Sequence, residues 1–294
     1  MKKNNYLLAI IAFVAVCFTQ VIISCDDDDD STVTTISIDK TSTEKLNVGD
    51  MVNATITISA DKISSFKYYK VVDEVKSGAV DVLANLTKDG KTYTYNFAYQ
   101  VQEFDDLHTL GFEFEVTDNK EIAYTAGLVV NMNISVQSSL VKYDWKVTAS
   151  EWLGSDVLSA NDAAYTYRFN EDGTYEVDLS ADYADSYHHF CYWVYKETPN
   201  NGDTLAVLRL IRRLISGDTG EDEYYDYRIV SASEREMTMY WDIAVWGLMD
   251  IKNTFTSQPK GAFQPYGTEA MATEVESIEA LNCSAIDDDL LTIQ

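Results

Sequence analysis

The segment Tyr165-Thr-Tyr-Arg-Phe169 is followed by Asn170-Glu-Asp-Gly173 and then by Thr174-Tyr-Glu-Val-Asp-Leu179. This order predicts a β-hairpin, because two alternating runs flank an Asp-Gly pair that suits a turn with positive φ. Alternation places two sets of side chains on one face of the hairpin, namely Tyr165, Tyr167 and Phe169 on the first strand and Tyr175, Val177 and Leu179 on the second. The second half of the chain is therefore predicted to be a β-domain with an aromatic interior.

Similar alternating runs surround the hairpin. They predict further strands at 145–148, 189–195, 204–210, 224–230, 236–243 and 251–256, separated by turn-forming residues at 199–203 and 216–220. About eight strands with short connections are typical of an up-and-down barrel that can hold one small ligand. The segment 205–215 departs from the pattern, since it carries Arg209, Arg212 and Arg213 in an apolar stretch. It either stays in the barrel or leaves it as a helix or an edge.

Three motifs carry a resemblance: Tyr143-Asp-Trp-Lys-Val147, the hairpin from Tyr167 to Tyr175, and Tyr227-Arg-Ile-Val230 ahead of Met237-Thr-Met239. This part of the chain resembles the lipocalin-like domains of Bacteroidota lipoproteins, which implies a β-barrel over 140–258. Residues 259–294 form a separate C-terminal segment. Within it, Met271, Val275, Ile278 and Leu281 recur at helical spacing after a capping Thr268, so we expect either a helix over 268–281 or a loosely ordered tail.

The sequence of the first half also predicts β-strands. Val52, Ala54, Ile56 and Ile58 alternate on one predicted inward face, and about seven strands in some hundred residues are typical of a sandwich. Leu46-Asn-Val-Gly-Asp50 and the run 111–119 resemble the immunoglobulin-like modules that follow the tether in Bacteroidota surface lipoproteins. We therefore expect an all-β protein: an immunoglobulin-like β-sandwich over 34–139, then the lipocalin-like barrel, with a C-terminal helix.

The amino terminus has the order of a secretory signal. Lys2 and Lys3 precede an apolar run over 6–18, and small or apolar residues lead up to Cys25. It resembles a lipoprotein signal, which implies that residues 1–24 are removed and that Cys25 becomes the acylated first residue. Several acyl chains would then hold the protein on a lipid bilayer, since one chain anchors only marginally. The alternative is an uncleaved signal anchor, because 6–24 is close to the roughly 20 residues that span a bilayer.

An acidic run follows the cysteine: Asp26, Asp27, Asp28, Asp29 and Asp30. Blocks of like charge are usually solvated, so residues 25–33 are predicted to be a tether that keeps the folded part away from the membrane. In the lipoproteins that this run resembles, it also acts as an export signal to the outer face of the outer membrane. We therefore expect a lipid-anchored outer-membrane protein that faces the cell exterior.

The composition and the net charge exclude some classes of binding partner. The 294 residues are 46% hydrophobic, which is enough for a core and for two domains, and the formal charge is −26. Such an acidic chain repels nucleic acid and anionic lipid headgroups, so we expect no nucleic-acid partner. The oligomeric state does not follow from the sequence.

Cysteines are sparse. Cys17 lies in the signal and Cys25 is assigned to the lipid, so only Cys191 and Cys283 remain for the folded part. Two lone cysteines in an exported chain either form a bridge or lie buried as thiols.

Catalytic motifs are absent from the sequence. It contains neither a Gly-x-Ser-x-Gly nor a His-Glu-x-x-His motif, and its three histidines are His108, His188 and His189. Adjacent histidines on a strand point to opposite faces and cannot both bind one ion without a bulge, and the acidic runs lack the spacing of a calcium loop. Carboxylates are so frequent that a pair of them carries no information about glycosidase activity. We therefore predict a non-enzymatic protein with no metal and no cofactor.

The aromatic residues of the second half suggest a binding role, since all five tryptophans lie at or beyond position 145. Sugar faces and apolar groups pack on such rings, and the mouths of barrels are common ligand sites. The candidate residues for a small apolar or glycan ligand are Trp152, Tyr183, Tyr187, Trp193, Trp241 and Trp246. The same rings at alternate strand positions also suit a filled core. In that case the protein would be a surface accessory protein that contacts another protein through loops such as 216–223.

Overall fold

The computed structural model describes residues 33–159, 163, 165–178, 188–200, 203–216, 219–243, 249–261, 263 and 283–293. The predicted signal, Cys25, the acidic run and the helix expected over 268–281 lie outside these residues. Contacts divide the chain into two compact units, of which the first ends at Ser135 and the second begins at Val136. Within the described ranges, no helix has the length and the apolar character needed to cross a membrane.

The first unit is a sandwich of two antiparallel sheets. One sheet has the order β1-β2-β7-β6, and the other has the order β4-β3-β8-β9 with β5 paired to β3. The strands are β1 (Thr35–Ile38), β2 (Met51–Ser59), β3 (Ile63–Val72), β4 (Val75–Lys76), β5 (Val80–Asp81), β6 (Thr87–Asp89), β7 (Thr92–Gln100), β8 (Leu110–Asp118) and β9 (Ala123–Val130).

The core of this unit follows from the alternation in the sequence. Val52, Ala54, Ile56 and Ile58 of β2 are all buried, as predicted for one face of a strand that packs on a second sheet. They share one apolar core with residues of the opposite sheet such as Phe112 of β8. Burial on this scale stabilises the unit by roughly 1.5–3 kcal/mol for each large side chain.

The second unit is a nearly closed antiparallel barrel of eight strands in the order β13-β12-β10-β18-β17-β16-β15-β14, with the short β11 paired to β10. A single bridge between Thr174 and Tyr192 joins β13 to β14 within the described residues. The strands are β10 (Tyr143–Trp152), β11 (Ser155–Asp156), β12 (Thr166–Phe169), β13 (Tyr175–Asp178), β14 (His188–Asn200), β15 (Asp203–Ser216), β16 (Thr219–Ala232), β17 (Glu236–Ile243) and β18 (Met249–Pro259). The predicted all-β fold, a sandwich followed by a barrel, is confirmed.

The aromatic hairpin forms as predicted. Phe169 lies opposite Tyr175 across β12 and β13, and both side chains are buried. Gly173 has a φ of 82°, which a side chain at that position would make costly, and the Asp172 carboxylate accepts a hydrogen bond from the Thr174 amide at 3.0 Å.

The arginine-containing segment stays in the barrel. Strand β15 pairs with β14 on one side and with β16 on the other along nearly its whole length. Alternation places Arg209 and Arg213 on the outer face, while Arg212 shares the inner face with Leu208 and Leu210. The alternative in which this segment leaves the barrel is therefore wrong.

A short helix closes one end of the barrel. This helix, α1 (Val136–Lys142), buries Leu140 and Val141, and the Leu140 carbonyl accepts a hydrogen bond from the indole N–H of Trp145 at 3.1 Å. Seven residues are too few to show a helical periodicity, so the sequence pattern did not reveal it.

The described C-terminal residues 283–293, here called the C-terminal strap, pack on the outer wall of the barrel. A disulfide joins Cys191 of β14 to Cys283, which settles the alternative between a bridge and two thiols. Ile286 packs against Ile211 of β15, and Ile293 is also buried. This part of the C-terminal segment is therefore ordered on the barrel.

Candidate functional site

The inward side chains of the barrel differ in burial along its axis. Towards the end that α1 closes, the interior is filled with side chains that water hardly reaches: Trp145, Phe169, Trp193, Leu208, Met237, Met239 and Phe255. Their density leaves no room for a ligand in that half.

At the other end, the inward side chains keep part of their surface accessible. We call this end the mouth and define it by Trp152, Arg212, Glu223, Tyr225 and Trp241, all of which have intermediate burial. Strand register brings them together, since Trp152 and Trp241 both lie opposite Ile251 of β18, and Arg212 lies opposite Glu223. The barrel is thus filled at one end and accessible at the other.

A cavity of about 10 Å³ lies in the middle of the barrel. It is lined by Tyr167, Phe169, Leu210, Tyr227, Met237, Met239 and Phe255. A volume of this size holds about one water molecule and is far below the roughly 300 Å³ of a typical ligand pocket. A ligand of that size could enter this cavity only by displacing side chains.

Arg212 is the inward cation of the mouth. Its Nε donates to Glu223 Oε2 at 3.1 Å and its Nη2 donates to the Tyr225 hydroxyl at 2.8 Å, while the guanidinium lies 4.6 Å from the centre of the Tyr225 ring. Burial lowers the pKa of Arg212, but Tyr225 and Glu223 outweigh this effect and raise it overall. The guanidinium therefore stays charged inside the barrel.

Two tyrosines extend this polar cluster inward. Burial raises the pKa of both Tyr167 and Tyr175, so both phenols keep their proton at neutral pH. The positive charge of Arg212 acts in the opposite direction and lowers the pKa of each phenol. In the described part of the chain, neither hydroxyl has a hydrogen-bond partner.

Trp241 contacts this cluster, and Trp152 lies on the far side of β18 from Trp241. The Trp241 ring contacts the Tyr225 ring edge-on at 5.2 Å between ring centres. The Trp152 indole Nε1 is buried and has no hydrogen-bond partner among the residues described. A buried donor without a partner is costly in a folded protein, so this nitrogen is another group that a bound molecule could satisfy.

The two arginines on the outer face of the barrel form ion pairs between strands. Arg209 forms a two-pronged ion pair with Asp226 at 2.7 and 2.8 Å and donates to the Thr292 carbonyl of the strap at 3.0 Å. Arg213 pairs with Asp222 at 3.2 Å. Arg209 therefore holds two strands and the strap together, Arg213 links β15 to β16, and Arg212 alone among the three arginines faces the interior.

One histidine lies beside the disulfide. The ring of His189 is within 4.8 Å of the sulfur atoms of Cys191 and Cys283, and burial together with Arg213 lowers its pKa. The two sulfur atoms are bonded to each other, so they are not thiolate ligands in this state.

The candidate aromatics separate into three groups. Trp152 and Trp241 lie together at the mouth. Trp193 lies deep in the interior at 5% exposure, where its indole donates to the Asn170 carbonyl at 3.0 Å, so it packs the core. Tyr183, Tyr187 and Trp246 lie outside the described residues.

Sequence reasoning missed Arg212, Tyr167 and Tyr175 as site residues. The sequence did contain the information needed to place Arg212. Residues 208, 210 and 212 are two positions apart on β15, so Arg212 lies on the same inward face as Leu208 and Leu210. The aromatic hairpin was identified, but only as core.

No protein-family model matches the chain, and no curated protein matches it. Among solved structures, the sporulation control protein Spo0M from Bacillus subtilis matches 78% of this chain and 91% of its own length, with 7% identity and a TM-score of 0.24. A TM-score this low carries no argument about fold or function.

Proposed function

We propose that this protein is a non-enzymatic, lipid-anchored surface protein of the Bacteroidota lipoprotein type, and that the mouth of its barrel binds a small apolar or glycan ligand. In this proposal Cys25 carries the lipid, Asp26 to Asp30 direct export, and the sandwich holds the barrel away from the outer membrane. The barrel then faces the medium.

The observation that carries the binding role is the accessible aromatic mouth above a filled interior. Trp152, Trp241 and Tyr225 keep part of their surface exposed, although large rings at inward positions are normally buried in a core. Exposed rings around a concave end can stack on a sugar face or pack on an apolar group.

A binding screen tests this role. The mature chain, made soluble by Cys25→Ser, is applied to arrays of glycans and of small lipids. We expect binding that Trp241→Ala weakens at least about tenfold, since a stacked ring contributes on the order of 1 kcal/mol or more beyond its buried area. The matched control is Tyr224→Ala on the outer wall, where the ring is 48% exposed and stacks on Arg209. Equal losses in both variants would count against the mouth as the site.

The anchor is tested separately. Metabolic labelling with a fatty acid should mark the wild-type protein and not Cys25→Ala. Protease added to intact cells should cut the protein, and replacing Asp26 to Asp30 with alanine should protect it. Label on the Cys25→Ala variant would refute the lipid anchor without affecting the binding role.

The small cavity favours a second candidate. Since the cavity among the described residues in the middle of the barrel measures about 10 Å³, the fold also suits an accessory protein whose barrel is a scaffold for contacts with another protein. Binding to no glycan and no lipid, together with cross-linking of the anchored protein to one specific surface protein, would favour this candidate.

A further inference from the structure

The mouth contains more hydrogen-bond donors than acceptors. The guanidinium of Arg212 and the indole of Trp152 can only donate. Arg212 uses Nε and Nη2 on Glu223 and Tyr225, and among the described residues nothing accepts from its Nη1. The Trp152 nitrogen is buried and unpaired.

Tyr175 adds a hydroxyl to this set. The residue is 3% exposed, and no described group forms a hydrogen bond with its hydroxyl. Folded proteins rarely leave a buried polar group such as the Trp152 indole nitrogen unpaired, and a bound molecule is one explanation for such a group. Tyr167 presents a second phenol and lines the central cavity together with Leu210, which shares the inner face of β15 with Arg212.

From this placement we propose that the mouth binds an organic anion, whose carboxylate or sulfonate accepts hydrogen bonds from Arg212 Nη1 and from the hydroxyls of Tyr167 and Tyr175. The proposal rests on the proposed function, because it names the ligand class for the same mouth. The apolar body of the ligand would lie against Trp241, whose ring contacts the Tyr225 ring edge-on.

The negative charges of the protein oppose the binding of an anion. Glu223 offsets the charge of Arg212, and the formal charge of −26 repels anions at long range. Selectivity for an anion must therefore come from short, charge-assisted hydrogen bonds to the partly buried guanidinium. The protonated phenols supply further hydrogen bonds, since deprotonated ones would repel the ligand.

A matched pair of fluorescent probes tests the anionic group. Anilinonaphthalene sulfonate and N-phenylnaphthylamine share an aromatic body, and only the first carries a negative charge. We expect Arg212→Gln in the mature Cys25→Ser chain to weaken the sulfonate at least about tenfold and the neutral amine less than about twofold. Arg228→Gln is the control, because it removes the same charge from an exposed position on β16.

A second variant separates a ligand role from a structural one. Tyr175→Phe keeps the ring that packs on Phe169 and removes only the unpaired hydroxyl. We expect sulfonate affinity to fall by about three- to tenfold, while the melting temperature of the free protein stays the same or rises. A fall in melting temperature with unchanged affinity would show that the hydroxyl supports the fold and would overturn its assigned role.

Displacement of the bound probe identifies the source of the anion. Octanoate is compared with octanol, and a galacturonic acid trisaccharide is compared with a galactose trisaccharide. Displacement by only one of the two anions assigns the ligand to fatty acids or to acidic sugars. Each anion should displace the probe at lower concentration than its neutral partner.

The failures of the two proposals are distinguishable. If neutral and anionic compounds bind equally and Arg212→Gln changes neither, the mouth is a ligand site but the anion proposal is wrong. If neither probe binds in the mouth and Trp241→Ala has no effect, the small-ligand function itself is wrong, and the anion proposal falls with it.

Discussion

Removing the disulfide between Cys191 and Cys283 should destabilise the barrel unit strongly. The two cysteines are 92 residues apart, so the bridge restricts a long loop in the unfolded chain. Loop-closure entropy for this length corresponds to about 4–5 kcal/mol at 25 °C. For a unit the size of residues 136–294, such a loss lowers the melting temperature by about 10–15 °C.

The assay is thermal unfolding of the mature chain, followed by near-ultraviolet circular dichroism. Tryptophans occur only in the barrel unit, so their signal reports its transition, while the unfolding of the sandwich serves as an internal control. Cys191→Ala with Cys283→Ala should shift the barrel transition and leave the sandwich transition in place.

Reduction provides a matched control. Dithiothreitol should lower the barrel transition of the wild-type protein by about as much as the double substitution, and it should have no effect on the double variant. A shift below about 2 °C in both experiments would refute the reasoning, because the strap contacts would then account for the stability without the covalent link.

Three further outcomes follow from individual contacts. Trp193→Phe removes the indole donor to the Asn170 carbonyl and should cost about 1–2 kcal/mol in chemical denaturation, and a cost below about 0.3 kcal/mol would contradict this role. Asp144→Asn leaves Arg168 without its carboxylate partner, to which it donates two bonds at 2.8 Å, and should cost roughly 3 kcal/mol; unchanged urea unfolding would contradict it. Because burial lowers the pKa of His189 below its ordinary 6.5, the unfolded chain binds the proton more readily and stability should fall as the pH drops below 6.5. His189→Gln should reduce that slope, as measured by melting temperature from pH 7.5 to 5, and an identical slope would exclude the histidine as its source.

The barrel could be predicted from sequence where alternation is uninterrupted. The hairpin around Gly173 and the buried face of β2 both follow from a period of two, because one face of each strand meets a core. The strand over 236–243 was also predicted with the bounds that the structure has.

The mouth could be predicted only in part. Trp152 and Trp241 were candidates because of their residue type, but their neighbours depend on register between strands distant in sequence. A bulge between Phe190 and Tyr192 shifts the parity of β14, so that Phe190 and Trp193 both face inward despite an odd separation. Periodicity alone cannot locate such a shift.

For a similar reason, the sequence alone did not decide whether Cys191 and Cys283 form a disulfide or remain two thiols. Two cysteines separated by 92 residues pair only if the tertiary fold brings their main chains together. The packing of the strap, with Ile286 against Ile211, supplies that proximity, and no local sequence pattern encodes it.

The single bridge between Thr174 and Tyr192 has a consequence for motion in the barrel. The neighbouring strands β14 and β15 are paired along most of their length, so opening them breaks many hydrogen bonds, whereas separating β13 from β14 in the described region breaks few. Amide protons along the facing edges of β13 and β14 should exchange with solvent long before those of β15 and β16, since exchange follows local opening. The line between these two strands would then be the part of the described barrel wall that opens first.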